Sequence, residues 1–193
     1  MGFRWEWRTF GPDLGTAAER LAALPAELET DSDETYLVSD DVRHAVKVRG
    51  GLMDVKHLER VGGDGLQLWR PVMKAPLPVS ADDAAAVLDA LRVPVPELDP
   101  GARYDLAAIV AAGGGAVTAV AMRKHRRHVT FDGARAELSD LSAQDRTTRT
   151  IAIESEDPHL VTAAVLALGL ADRDNTSMPE GLVYLVNQPK VST

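Results

Sequence analysis

Phe3-Arg4-Trp5-Glu6-Trp7-Arg8-Thr9-Phe10 alternates bulky apolar and charged side chains with period two. Period two is the signature of an extended strand with two unlike faces. One face carries Phe3, Trp5 and Trp7, which belong under a helix. The other carries Arg4, Glu6 and Arg8, spaced about 6–7 Å apart along the strand. A solvated surface strand can look like this, so the reading depends on whether the charged pattern returns.

It does. His44-Ala45-Val46-Lys47-Val48-Arg49 puts Val46 and Val48 on one face and Lys47 and Arg49 on the other. Gly50-Gly51 turns the chain into Met53-Asp54-Val55-Lys56-His57-Leu58, where Asp54 and Lys56 share a face, and the pair reads as a hairpin. Residues 66–74 form another strand, which Pro71 places at a sheet edge or ends early. In the second half, residues 116–131 hold the most basic run of the chain, Arg123-Lys124-His125-Arg126-Arg127-His128. Asp132-Gly133 is a hairpin turn signal. Residues 134–141 return from it, a polar loop follows, and 149–156 form the last strand. Helices are expected over 17–28 (limited by Pro25), 82–91 with Ser80 as cap, 104–112, 158–170 and 177–186. Seven acids without a base, Glu27, Glu29, Asp31, Asp33, Glu34, Asp40 and Asp41, read mostly as a solvated rim, with a short strand at 35–39 inside it. The sum is about eight strands and a few helices in one α+β domain spanning 1–193.

The bulk numbers bound the function. A chain of 193 residues can bury one sizeable core. A net charge of −8 argues against a general nucleic-acid binder. The absence of cysteine excludes disulfides, thiolate nucleophiles and cysteine-ligated zinc, and fits a cytoplasmic protein. The charged N-terminal strand does not read as an export signal. Residues 106–122 are uncharged, but they are shorter than the ~20 residues of a membrane span and are broken by Gly113-Gly114-Gly115. The histidines show no metal-ligand spacing, and no nucleophile elbow, P-loop or dinucleotide fingerprint is present.

Within this acidic chain, more than half of the 21 Lys and Arg fall on the expected strands, while acids gather in helices and loops. Like charges facing one another at sheet spacing repel unless an anion lies between them. Phosphate oxygens are the natural complement, since Arg forks match them and Lys acts as a point charge. The competing reading is a β-sandwich with a basic, solvated outer face. The few acids on these strands, Glu6, Asp54, Glu137 and Glu154, can be salt-bridge partners or can hold a divalent cation.

Taken in order, these motifs resemble the CYTH, or triphosphate tunnel metalloenzyme, superfamily, which opens with a Glu-x-Glu-x-Lys strand. Here the register gives Arg4-x-Glu6-x-Arg8. Lys47-x-Arg49 resembles the family's Arg-x-Arg strand, Lys56 its following lysine, and Lys124-x-Arg126 its later Lys-x-Arg. Ala152-x-Glu154 stands where the late Glu-x-Glu falls, and Glu137 where many members place another acid. The resemblance covers nearly the whole chain. It implies an eight-stranded antiparallel barrel with helices outside. Arg4, Arg8, Lys47, Arg49, Lys56, Lys124 and Arg126 would grip phosphate, and Glu6, Glu137 and Glu154 would hold Mg²⁺ or Mn²⁺. Glu6, Lys56 and Glu154 would carry catalysis.

The chain departs from the family at two carboxylates, which are Arg4 and Ala152 here. Their loss weakens divalent metal binding. Three functions compete: a weak metal-dependent phosphohydrolase of tripolyphosphate, polyphosphate or nucleoside triphosphate; a non-catalytic polyanion binder in which Arg4 supplies the metal's charge; and a barrel repurposed for another phosphorylated metabolite. Nothing in the sequence reads as an adenine pocket, which disfavours a cyclase. The expected partner is an anionic phosphate compound, with neither nucleic acid nor membrane.

Overall fold

β1 (Arg4–Gly11) forms as its alternation demands, with Trp7 buried and Trp5 packed beside it while Arg4, Glu6 and Arg8 point the other way. Phe3, expected on the same apolar face, stays 46% exposed. The computed structural model describes residues 2–187, so positions 1 and 188–193 of the expected domain lie outside the described residues. α1 (Gly15–Ala23) follows, then β2 (Leu28–Val38), β3 (His44–Arg49), β4 (Leu52–Val61) and β5 (Gln67–Pro76). α2 (Ala81–Ala90) and α3 (Leu106–Ala112) precede β6 (Thr118–Phe131), β7 (Ala134–Ala143) and β8 (Arg146–Ser155). α4 (Pro158–Ala167) and α5 (Met178–Asn187) follow.

The eight strands close into one antiparallel barrel in the order β1-β5-β4-β3-β2-β6-β7-β8. Closure leaves no free edge to pair with another chain. Two hairpins rest on left-handed residues that only a tight turn asks for: Gly50 and Gly51 at φ 56° and 75°, and Asp132 and Gly133 at 48° and 80°. Ser80 caps α2 by accepting the Asp83 N–H at 3.1 Å, and Asp82 and Asp83 favour its N-terminal dipole.

The outward strand faces are covered in two places. α1 and α4 bury Trp7, Val129, Leu138, Ile151 and Ile153, while α2 and α3 bury Leu37, Val46, Met53 and Val55. Each such side chain, once fully buried, contributes roughly 1.5–3 kcal/mol.

Three expectations are corrected. The first helix ends at Ala23, before Pro25, and residues expected in its last turn and in a solvated rim instead form β2, eleven residues long. Asp and Glu are poor strand formers, but Glu29, Asp31 and Asp33 lie opposite Arg127, His125 and Arg123 of β6 and pair with them at 2.8, 3.1 and 3.5 Å. Secondly, Pro71 does not mark an edge: β5 lies between β1 and β4, and its register shifts beside Lys56 accommodate the missing N–H. Thirdly, the polar segment before the last strand is a tight turn, with β7 running to Ala143 and β8 starting at Arg146.

One end of the barrel is filled. β1 pairs with β5 only through Arg4, Trp5 and Glu6. Beyond that, the Arg8 N–H donates to Asn175 Oδ1 at 2.8 Å and the Arg8 carbonyl accepts from the Thr176 N–H at 2.7 Å. This segment leads into α5, whose Met178 and Leu182 bury against Tyr36, Val38, Val120, Met122 and Leu141. Gly181 lets Phe10 lie flat on the helix.

Candidate functional site

Above that apolar plug, the inward side chains enclose a cavity of about 500 Å³. Every residue that the resemblance assigned to phosphate, metal or catalysis lines it: Arg4, Glu6, Arg8, Lys47, Arg49, Lys56, Lys124, Arg126, Glu137 and Glu154. Arg135 and Asp54 join them, giving eight Lys and Arg against four carboxylates on the wall. The period-two alternation explains the gathering, since in a closed barrel one face of every strand points inward.

The charges are already engaged with one another. Glu137 Oε1 accepts from Lys124 Nζ at 2.7 Å and lies 3.5 Å from Arg8 Nη1, and Ser139 Oγ donates to it at 3.0 Å. Burial pushes the Glu137 pKa up, but Lys124 and Arg8 outweigh it and hold the carboxyl well below its usual range. Burial pulls Lys124 down to about 8 despite Glu137 beside it. Glu6 accepts from Arg8 Nε at 2.8 Å. Burial opposes its ionisation, yet Arg8 and Lys56 still lower its pKa. Arg4 does not reach its neighbour Glu6. It lies 3.5 Å from Glu154, which faces Glu6 across the β1–β8 ladder.

Sequence reading missed Glu34 altogether. Its carboxylate is fully buried behind the cavity wall, 3.3 Å from Lys47 Nζ and 3.5 Å from Arg49 Nη1, with Arg126 against it as well. Tyr36 and Ser32 hydroxyls donate to it, each at 3.1 Å. Burial raises its pKa, and Lys47, Arg126 and Lys124 overcome that to hold it at about 2. The residue was hidden inside an acidic run. The signal that would have found it is the period-two alternation of Glu29, Asp31 and Asp33, which makes the run a strand and turns Ser32, Glu34 and Tyr36 inward. Arg135 and His128 were also missed. Arg135 Nε donates to His128 Nδ1 at 2.9 Å, and burial lowers the His128 pKa.

The donors do not fit a divalent cation as they stand. Among the described residues no three acidic or histidine side chains form a metal-holding group. Each acid is already engaged: Glu6 is held by Arg8, Glu137 by Lys124 and Glu154 by Arg4. Ala152, fully buried, sits between Arg8 and Glu137 where the resemblance expects a carboxylate.

No protein-family model matches the sequence, and no curated protein matches it. Solved structures do. The candidate adenylyl cyclase HpAC1 from Hippeastrum, reported to have a dominant triphosphatase activity, aligns over 98% of this chain and 97% of its own, at 13% identity and a TM-score of 0.53. A conserved hypothetical protein of Pyrococcus furiosus aligns over 88% and 93% at 11% identity, with a TM-score of 0.49. A candidate adenylate cyclase of Bacillus halodurans aligns over 88% and 92% at 12% identity, with a TM-score of 0.48. The first likeness shows the fold.

Proposed function

We propose, on the premise that this chain has the CYTH-like triphosphate tunnel fold, that its barrel binds the phosphate chain of a triphosphate or short polyphosphate compound without a divalent metal. The observation that carries this reading is the excess of cations on the cavity wall, eight Lys and Arg against four carboxylates. Among the described residues Lys56 and Arg135 have no carboxylate within 4 Å, although both line the cavity. An anion entering there meets cations with no carboxylate to displace, and charge-assisted contacts of this kind are about twice as strong as neutral ones. Arg4 stands where the resemblance implies a metal-binding glutamate and brings a fixed positive charge to the cavity mouth. Lys124 and Arg8 hold Glu137 and Glu6 ionised but neutralised, so these acids do not repel an entering phosphate as free carboxylates would.

Hydrolysis is the second reading. It is favoured by the triphosphatase activity reported for the Hippeastrum protein and by Glu6 and Glu154 facing each other across β1 and β8. Mg²⁺ or Mn²⁺ would there have to displace Arg8 and Arg4 from the carboxylates, so turnover is expected to be slow and to demand high metal.

Calorimetry with tripolyphosphate, a nucleoside triphosphate and a longer polyphosphate, in chelator and then in Mg²⁺ or Mn²⁺, tests both. Binding in chelator that weakens as salt rises is expected, because the charges at the mouth are screened within about 10 Å at 0.1 M ionic strength. A ligand at 100 times its Kd adds ~2.7 kcal/mol to stability, which a melting curve also detects. No binding of any of the three with or without metal overturns the proposal, and brisk phosphate release at low metal promotes the second reading over the first.

A further inference from the structure

We infer that Glu34 is a resident counter-anion that occupies the deepest phosphate position of the barrel and thereby sets how long a phosphate chain the cavity accepts. This deepens the anion-binding reading above and rests on it.

Three of the seven cations assigned to phosphate, Lys47, Arg49 and Arg126, converge on this one carboxylate. They come from β3 and β6, the two neighbours of β2, while Glu34 is supplied by β2 itself. The carboxylate is placed where a terminal phosphoryl group would otherwise draw the same donors. It also borders the plug. Tyr36, the next inward residue of β2, donates to Glu34 with its hydroxyl and packs its ring in the apolar cluster with Met178 and Leu182. Nothing anionic can pass below it.

Glu34 cannot swing aside to make room. Its side chain is fully buried and held by five donors, Lys47, Arg49, Arg126, Tyr36 and Ser32. An ionised phosphoryl group brought to Lys47 or Arg126 would meet a second negative charge at contact distance. The cations left for a ligand are therefore Lys56 and Arg135, with Arg4, whose contact to Glu154 is long at 3.5 Å. That set suits a short chain or the end of a longer one.

The test is a length series of pyrophosphate, tripolyphosphate and tetrapolyphosphate in chelator, measured by calorimetry on the native protein and on Glu34→Gln. In the native protein affinity should level off beyond the second or third phosphoryl group. In Glu34→Gln the ratio of tetrapolyphosphate to pyrophosphate affinity should rise about tenfold or more, the size of one added charge-assisted contact. Adding Lys47→Met to Glu34→Gln should erase most of that gain, which a merely loosened barrel would not show. Should the glutamine variant fail to fold, Glu34→Asp, which keeps the charge but withdraws it from the three cations, carries the same comparison with a smaller rise. An unchanged length ratio in a folded variant overturns this inference while leaving the anion-binding reading intact. Absence of binding by the native protein sinks both.

Discussion

Glu34 is a carboxylate whose ionisation helps hold the fold, and acid should expose it. Its pKa in the folded chain is about 2, against an ordinary 4.5, so the unfolded chain takes up a proton first as pH falls. The stability it contributes is therefore complete above about 4.5 and is lost as pH falls towards 2, to the extent of roughly 3 kcal/mol. Glu6 and Glu137 are shifted in the same direction and steepen the loss. Urea midpoints should hold between pH 7 and 5 and drop sharply by about pH 3, and Glu34→Gln should flatten part of that slope. A midpoint insensitive to acid would mean that these carboxylates are not held as described. At this scale the sequence was legible wherever charge alternated with bulk. Arg4, Glu6, Arg8, Lys47, Arg49 and Lys56 could each be placed on a face from their neighbours. Glu34 was missed because the flanking acids read as a solvated rim, and only their own alternation turns it inward.

β2 and α5 are the elements that local reasoning handled unequally. β2 is built from residues that resist strands, and its stability comes from the facing bases of β6, about ninety positions away in the chain. No local propensity contains that information. The helix over α5 was legible from its apolar spacing and Pro179, but its role was not, since filling a barrel end depends on how β1 and β5 part at Arg8. Gly181 tests that role. A methyl group there would collide with the Phe10 ring, which is wedged against the helix. Gly181→Ala should cost about 1–3 kcal/mol by overpacking, despite the better helix propensity of alanine. A variant as stable as the native protein in thermal or urea unfolding would show that α5 is not seated against Phe10.

For the whole molecule, the notable feature is charge turned outside in. The protein carries −8 overall, yet eight Lys and Arg line its interior while Glu29, Asp31 and Asp33 face outward on β2. A polyanion too wide to enter the barrel meets an acidic exterior. The protein should pass through a heparin column at ~0.15 M salt while still binding tripolyphosphate under the same conditions. Retention on heparin would place the operative basic surface outside. The strands and their helical cover were legible because the apolar and charged faces kept period two through most of the strands; closure into a barrel came from the resemblance, since periodicity alone also fits a sandwich. No described helix is long and apolar enough to cross a membrane. The plug formed by α5 makes the cavity a blind pouch rather than a pipe. Entry and exit share one mouth, so nothing can be threaded through, and a long polymer can offer only its terminus. A ring of phosphates, having no terminus, would be turned away at the door.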